Sequence, residues 1–343
     1  MADSLNPKNI NELSEEQIIN LFAESRHRDH GIGIGDDCSV TDGPNGVKQL
    51  VSTDLVIEQV HFRREDISPR ALGSKALAVN LSDIAAMGGI PKGFYLSLAL
   101  PKDLSAHWLT RFRDGLLVLA QRHNISLLGG DTTRSQNDIV ISITITGTVK
   151  PKHLKLRSMA EPGDVLCVTG SLGDSAAGFK VLSHPDRYSY LSDANRKQLV
   201  EHHQEPKPEV AKGKWLAQME AVHAMIDLSD GLIRDSRHIA SQSRCGVDIT
   251  LDRLPLSAPF KAFHRAQIEQ AQDFAAAGGE DYKLLLAIAA DDLEEIQKKF
   301  KQKFNTPLHQ IGTMKKGEPQ LRTLRDGAPI KLEEQQFKHF KGS

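Results

Sequence analysis

Cysteine is scarce in this sequence, and the three that occur form no pair. Cys38, Cys167 and Cys245 are far apart, and no C-x-x-C motif is present. An odd number of distant cysteines indicates neither a disulfide framework nor a structural zinc site. Histidine motifs of the H-E-x-x-H type are absent too. We therefore expect a cytoplasmic protein without a zinc-based fold.

Long apolar runs and an excess of one charge are also missing. The longest clean apolar run has seven residues, Leu284 to Ala290, whereas a membrane helix needs about 20. The amino-terminal segment lacks the apolar core of a signal peptide. Lys and Arg number 43 against 44 Asp and Glu, so no basic field exists that would bind nucleic acid. We expect neither a membrane nor a nucleic acid as partner.

The remaining composition is that of an ordinary globular protein. Hydrophobic residues make up 39% and charged residues 25% of the 343 residues, which is enough for two domains with buried cores. A lysine-rich segment, Lys150 to Lys155, and the turn pair Pro162-Gly163 indicate a boundary between them. We predict an amino-terminal domain over residues 1–155 and a carboxy-terminal domain over residues 156–343.

Local patterns predict mixed α and β structure in both halves. Ser14 is a plausible N-cap for the first helix, and Ser68-Pro69 opens a long helix that ends at Gly88-Gly89. DIVISITITGTV over 138–149 alternates strictly, which is typical of a strand with one buried face. A single helix is expected over 259–276. The fold class is therefore α+β, with an antiparallel or mixed sheet in the first domain and α/β structure in the second.

Five acidic motifs fall where predicted strands or helices end. They are GDD at 35–37, STD at 52–54, NLSD at 80–83, GGDTTR at 129–134 and DLSDG at 227–231. A single Asp beside Gly is more often a turn residue than a ligand. Five together indicate a carboxylate cluster, which would repel itself unless cations fill it. Oxygen-only ligands suit Mg²⁺, which commonly shares its remaining positions with phosphates. The pattern therefore points to phosphoryl transfer.

Other nucleotide and metal motifs do not fit. Gly213-Lys214 is followed by Trp215, so no Walker A motif exists. HRD at 27–29 lacks the Asn of a protein-kinase loop, because residue 34 is Ile34. GIGIG at 31–35 lacks the spacing of a dinucleotide fingerprint. His202-His203 lies in a proline-broken linker, HHQEPKPEV over 202–210, and is expected to be solvated.

Taken in order, these motifs carry a family resemblance. The matching stretches are GIGDDCSV, VSTDLVIEQVHF, KALAVNLSDIAAMGG, LLGGDTTR, RSMAEPGDVLCVTGSLGDSAAG, MIDLSDGLIRD and AGGEDYKL, which span residues 33–286. The chain resembles the thiamine-monophosphate kinases, members of the superfamily of aminoimidazole-ribonucleotide synthetase and selenophosphate synthetase.

The resemblance implies a reaction and an assembly. ATP and thiamine monophosphate would give ADP and thiamine diphosphate by direct in-line transfer, with several Mg²⁺ ions and no general base. Residues 1–155 would form a ferredoxin-like domain that binds metal and ATP and pairs with a second subunit in a homodimer. Residues 156–343 would complete the active site.

The resemblance also assigns candidate site residues. The implied substrate contacts are His61 and Glu280. The implied nucleotide contacts are Gly130, Asp131, Arg157 and Ser229, of which Arg157 gives electrostatic support. The implied metal ligands are Asp37, Ser52, Thr53, Asp54, Asp83, Asp131, Asp227 and Asp230.

Several positions keep alternative interpretations. Asp36 is either an acceptor that supports the site or a turn residue, and Lys75 and Asn80 are expected to pack or support rather than bind. Glu334 occupies the place of a family tryptophan, although Phe337 and Phe340 keep the other aromatics. Two other functions also remain open, namely a synthetase of the same superfamily that releases inorganic phosphate and a non-catalytic protein that binds nucleotide and metal.

Overall fold

The computed structural model describes residues 9–23 and 31–332. Its helices are α1 Glu15–Ala23, α2 Pro69–Ala86, α3 Ala106–Arg122, α4 Asp174–Ser183, α5 Asp193–Gln204, α6 Val210–Leu216, α7 Leu232–Ser243, α8 Ala258–Phe263, α9 Ile268–Ala277 and α10 Leu293–Phe304. Its strands are β1 Ser39–Asp42, β2 Lys48–Ile57, β3 Ile90–Leu100, β4 Ser126–Arg134, β5 Val140–Val149, β6 Val165–Val168, β7 Val222–Asp227, β8 Gly246–Thr250, β9 Leu284–Ile288, β10 His309–Lys315, β11 Leu321–Arg325 and β12 Ala328–Ile330. None of the helices in these ranges combines the length and apolar character needed to cross a membrane.

The first sheet is mixed and has five strands. Its order is β1-β2-β5-β3-β4, with β3 and β4 parallel and the other neighbours antiparallel. Helices α2 and α3 pack on one face, which buries Ile141, Ile143 and Ile145 of the alternating strand β5. The opposite face is called the outer face below. The prediction of a mixed α+β sheet in this half is confirmed.

The second sheet has seven strands in the order β12-β11-β8-β10-β6-β9-β7. Strand β9 lies between β6 and β7, and both of its faces are buried. Leu284 and Leu286 join a core that continues into the first sheet and α2, whereas Leu285 and Ala287 join a separate core on the other side. This explains the continuous apolar run in β9, because a strand covered on both faces needs no polar side.

Helix α2 connects the two halves. Ser68 caps it by accepting a hydrogen bond from the Ala71 amide, as the Ser-Pro pair predicts. The helix contacts β2, β5 and α3 in the first half and α6 and β7 in the second. Because neighbours surround it, 14 of its 18 residues are buried. Its many Ala, Gly and Ser residues let the neighbouring elements approach closely.

Three local predictions are wrong. STD lies inside β2, which runs unbroken over ten residues, and GGDTTR lies inside β4, because the glycine pair continues that strand instead of breaking it. The helix expected over 259–276 is two helices, separated where Arg265 and Ala266 adopt positive φ angles. HRD at 27–29 lies outside the described residues.

Candidate functional site

Three carboxylates from distant motifs meet between the two sheets. Asp37 precedes β1, Asp83 lies in the last turn of α2, and Asp227 ends β7. Each offers an oxygen atom, and these oxygens lie within 4.8 Å of one another. Buried carboxylates this close repel one another as anions, so the arrangement is costly unless protons or cations intervene.

Hydroxyl groups and a guanidinium hold the three carboxylates in place. The Ser52 hydroxyl in β2 donates to Asp83, and the Ser82 hydroxyl in α2 donates to Asp227. Arg157 Nη2 lies 2.7 Å from Asp37 Oδ1. Arg157 belongs to the connection before β6, so this ion pair ties the second half of the chain to the first.

Burial and the neighbouring negative charges raise the pKa values of the aspartates in and beside the cluster. Burial first, and then Asp54, Asp227 and Asp37, hold the pKa of Asp83 well above its ordinary value. Burial and then Asp37 likewise raise the pKa of Asp227. The pKa of Asp54 is also raised, by burial and then by Asp37 and Asp230. A bound cation would reverse these shifts, because it stabilises the ionised carboxylates.

Asp36 supports the cluster from its edge. Its Oδ1 accepts a hydrogen bond from the Arg157 amide at 2.9 Å. Burial is the main reason that its pKa is raised to about 6, and the neighbouring Asp37 raises it further against the effect of that hydrogen bond. Of the two interpretations left open by the sequence, the structure supports the acceptor.

A cavity of about 460 Å³ opens beside the cluster. Asp54, Asp83, Ser229 and Asp230 line the part nearest the carboxylates. The rest is lined by residues of α2, α4, α5 and the loop before β9, namely Lys75, Val79, Ser175, Phe179, His203 and Glu280, together with His61 after β2. The cavity is therefore strongly acidic at one end and of mixed character at the other.

Six of the predicted site residues line this cavity, and four more form or contact the carboxylate cluster beside it, namely Asp37, Ser52, Arg157 and Asp227. Asp230 forms an ion pair with Arg234 at 3.3 Å, and the Ser229 hydroxyl lies 3.3 Å from Asp227 Oδ1. His61 Nδ1 accepts a hydrogen bond from the Ile57 amide at 3.0 Å, which fixes the ring beside the cavity. Glu280 faces the cavity from the second half of the chain.

Two predicted ligands lie elsewhere. Strand register places the side chains of Thr53 and Asp131 on the outer face. Thr53 accepts a hydrogen bond there from the Thr144 hydroxyl, and Asp131 is the register partner of Ser97 in the neighbouring strand β3. Asp54 lies on the inner face, and β4 is three strands away from β2, or about 14 Å at the usual strand spacing. Within one chain, Asp131 is therefore not brought to the cluster.

Gly130 is required by close backbone packing. It has a φ of 153°, and a Cβ atom there would lie 1.7 Å from the Leu96 carbonyl oxygen of β3. Its exposed neighbours in β4 leave the edge of the sheet open. Packing against β3 thus explains why glycine occurs at position 130. The contact of Gly130 with a nucleotide stays a prediction.

Sequence reasoning missed two residues of the site. His203 was expected in a solvated linker, but helix α5 continues to Gln204. The side chain of His203 is therefore only 12% exposed. Ser82 precedes Asp83 in NLSD, and its contact with Asp227 depends on a residue 145 positions away. Glu334, Phe337 and Phe340 lie outside the described residues.

The donor set fits a hard divalent cation. Asp37 Oδ2 is buried and makes no hydrogen bond among the described residues, so an acceptor is aimed into the cluster without a proton donor. The remaining groups are carboxylate oxygens, which suit Mg²⁺ and not thiophilic metals. Asp37, Asp83 and Asp227 are therefore the residues that would hold such an ion.

Family models match both halves of the chain. The amino-terminal domain of AIR synthase related proteins matches residues 35–149, and the carboxy-terminal domain of the same proteins matches residues 161–322. These two ranges contain the first and the second sheet, except that the second range ends before β11 is complete and does not reach β12.

Individual proteins resemble the chain over nearly its whole length. Thiamine-monophosphate kinase of Haemophilus influenzae is 38% identical over 316 residues, which cover 91% of this chain and 92% of that protein. The Bacillus subtilis protein of the same name is 32% identical and covers 92% and 95%. The solved structure of AaThiL complexed with AMPPCP and TMP is 30% identical, with a TM-score of 0.83, and covers 98% of this chain and all of that one.

Proposed function

The chain belongs to the thiamine-monophosphate kinase family of AIR synthase related proteins, and from that membership we propose that it transfers the γ-phosphoryl group of ATP directly to thiamine monophosphate. The products are thiamine diphosphate and ADP. The observation that carries this proposal is the carboxylate cluster of Asp37, Asp83 and Asp227 at one end of a cavity. A neighbouring structure that contains AMPPCP and TMP supports it.

The chemistry of the acceptor explains why no catalytic base is needed. A phosphate monoester has a second pKa of about 6, so it is mostly a dianion at neutral pH and already nucleophilic. The difficulty is electrostatic, because two unit charges about 4 Å apart repel by about 4 kcal/mol at an effective dielectric constant of about 20. The site must offset several such repulsions.

The side chains of this chain provide the framework for that compensation. Asp37, Asp83 and Asp227 would hold Mg²⁺, and Asp54 and Asp230 line the adjoining cavity wall. When bound, Mg²⁺ supplies positive charge that stabilises the approach of the two phosphates. Arg157 adds fixed positive charge beside Asp37. Ser52 and Ser82 orient the carboxylates by donating hydrogen bonds to them.

The open outer face supports a homodimer. Tyr95 and Leu128 are 44% and 55% exposed there, and every residue of β4 is exposed. An uncovered edge strand with apolar side chains is an available pairing surface. We propose that a second copy binds this face, which would also let the partner's Asp131 act in a site that Asp131 of the same chain does not reach.

A product analysis tests the proposed function. The purified protein is incubated with ATP, Mg²⁺ and thiamine monophosphate, and the thiamine esters are separated. We expect thiamine diphosphate and ADP in equal amounts. Release of inorganic phosphate without thiamine diphosphate would instead support a synthetase, and ATP binding without turnover would support a binding protein. The same incubation with EDTA should give no product.

A further inference from the structure

A buried ion pair joins the two halves of the chain at the end of the cavity away from the carboxylate cluster. Lys75 Nζ in α2 lies 3.0 Å from Glu280 Oε2, and the Lys75 side chain is only 3% exposed. His203 Nδ1 in α5 lies 3.1 Å from the same oxygen. Lys75 is 205 residues before Glu280, so tertiary packing alone brings the pair together.

The geometry leaves Glu280 available to a ligand. Both contacts go to Oε2, and the side chain remains 31% exposed toward the cavity. Burial would raise the pKa of Glu280, but Lys75 and then His203 outweigh it, so the pKa lies below its ordinary value. Burial first and Lys75 next lower the pKa of His203. Glu280 is thus held as an anion whose second oxygen is not engaged by these partners.

The backbone conformation of Glu280 is also fixed by a specific contact. Glu280 has a φ of 61°, an uncommon value for a residue other than glycine. Its amide donates to the Ser229 carbonyl oxygen at 2.8 Å, and the Ser229 side chain contacts Asp227. The position of Glu280 is therefore linked to the carboxylate cluster through one short segment.

Helix α2 sets the distance between the two ends of the cavity. Lys75, Val79 and Asp83 are spaced four residues apart, lie on one face of the helix and all line the cavity. Eight residues of helix span about 12 Å. A ligand that reaches from Asp83 to Glu280 is therefore elongated, and under the proposed function its phosphate end would lie at the carboxylate cluster and its other end at Glu280.

The second end of the cavity is suited to a ring. Phe179 in α4 is 48% exposed, and its ring centroid lies 5.5 Å from that of His203. This gives an aromatic surface beside an ionised carboxylate, which favours a flat, cationic or amino-bearing ring. Thiamine monophosphate has a thiazolium and an aminopyrimidine at the end opposite its phosphate.

We propose that Lys75 is a positioning residue, which with His203 fixes the Glu280 carboxylate as the binding group for the ring end of the substrate. This inference rests on the proposed function. Lys75 acts through Glu280 and lies two helical turns of α2 away from Asp83 of the carboxylate cluster. Its loss should weaken substrate binding while leaving the phosphoryl-transfer groups intact.

The test compares Lys75→Met, Lys75→Arg and the double variant Lys75→Met/Glu280→Gln with the wild type. We expect Lys75→Met to raise KM for thiamine monophosphate about tenfold or more, with kcat and KM for ATP within about threefold of wild type. Lys75→Arg should recover part of the affinity. The double variant removes the uncompensated carboxylate, so it should regain thermal stability but keep the high KM.

Lys212→Met is the control, because Lys212 forms a largely buried ion pair with Glu209, and neither residue lines the cavity. It should change thermal stability without changing KM. The inference would be overturned by a normal KM for thiamine monophosphate in folded Lys75→Met, or by a wild-type KM in the double variant. Either result would show that Lys75 contributes only to the stability of the fold.

Calorimetric titration with thiamine monophosphate separates the two proposals. A wild type that binds and phosphorylates this compound, combined with unchanged affinity in Lys75→Met, overturns the inference alone. A wild type that neither binds nor phosphorylates it overturns the proposed function and the inference together.

Discussion

Asp83 is unfavourable for folding without metal, and we propose that it is nevertheless necessary for activity. It is surrounded by Asp54, Asp227 and Asp37, and these like charges together with burial raise its pKa. A folded-state pKa above that of the unfolded chain means that the metal-free fold binds a proton more tightly. Stability without metal therefore falls as pH rises from about 4 through the raised pKa.

Replacing Asp83 with Asn should separate the two effects. In EDTA at pH 8, Asp83→Asn should melt at a higher temperature than wild type, because one buried negative charge is removed. The difference should shrink as the pH is lowered toward 4, because the raised pKa of wild-type Asp83 favours its protonated form there. Activity with Mg²⁺ should fall by at least about a hundredfold, the size expected when electrostatic support of a transition state is lost.

Thermal melting and steady-state rates check this prediction. Asp42→Asn is the control, because Asp42 forms an ion pair with Lys48 and its side chain is 88% exposed, so the substitution should leave both quantities near wild type. A folded Asp83→Asn protein with nearly normal turnover would remove Asp83 from the proposed site.

At the scale of elements, the contact of α2 with α3 determines where the site residues stand. The helices approach so closely that a Cβ on Gly115 would lie 1.8 Å from the Arg70 carbonyl oxygen, and one on Gly73 would lie 2.0 Å from that of Phe112. Because α2 carries both Lys75 and Asp83, its placement sets both ends of the cavity.

Gly115→Ala should force these helices apart. We expect unfolding to become easier by about 1–3 kcal/mol, the usual cost of overpacking, with a parallel loss of turnover as α2 moves. Urea unfolding monitored by circular dichroism measures the first effect. Gly33→Ala is the control, since an added Cβ meets nothing within 4 Å there. Equal denaturation midpoints for Gly115→Ala and wild type would contradict this view of the helix contact.

At the scale of the whole molecule, the residues that the structure describes leave the outer face of the first sheet open. Leu128→Asp places a charge on the exposed edge strand β4 and should convert the proposed dimer to a monomer, because an unpaired charge in an apolar interface is strongly unfavourable. Sedimentation velocity measures the change. Ile268→Asp, at an exposed site on α9, should leave the assembly unchanged. A wild type that sediments as a monomer at micromolar concentration would contradict the dimer.

The sequence alone determined the elements that depend on local pattern. Ser68-Pro69 specified the start of α2, the alternation over 138–149 specified β5, and the acidic motifs specified the chemistry of the cluster. The sequence misled where one local pattern is compatible with two structures. The Gly129-Gly130 pair predicts a turn, but β4 continues through it because β3 lies so close that only glycine fits at position 130.

Only the tertiary structure decided which residues face one another. Asp37, Asp83 and Asp227 meet because α2 packs between the two sheets, while Asp131 lies on the outer face because side chains alternate along β4. Lys75 and His203 are unremarkable in sequence, and their contact with Glu280 exists because three distant segments end at one cavity. Residue types follow from local chemistry, but their partners follow from long-range packing that no local pattern encodes.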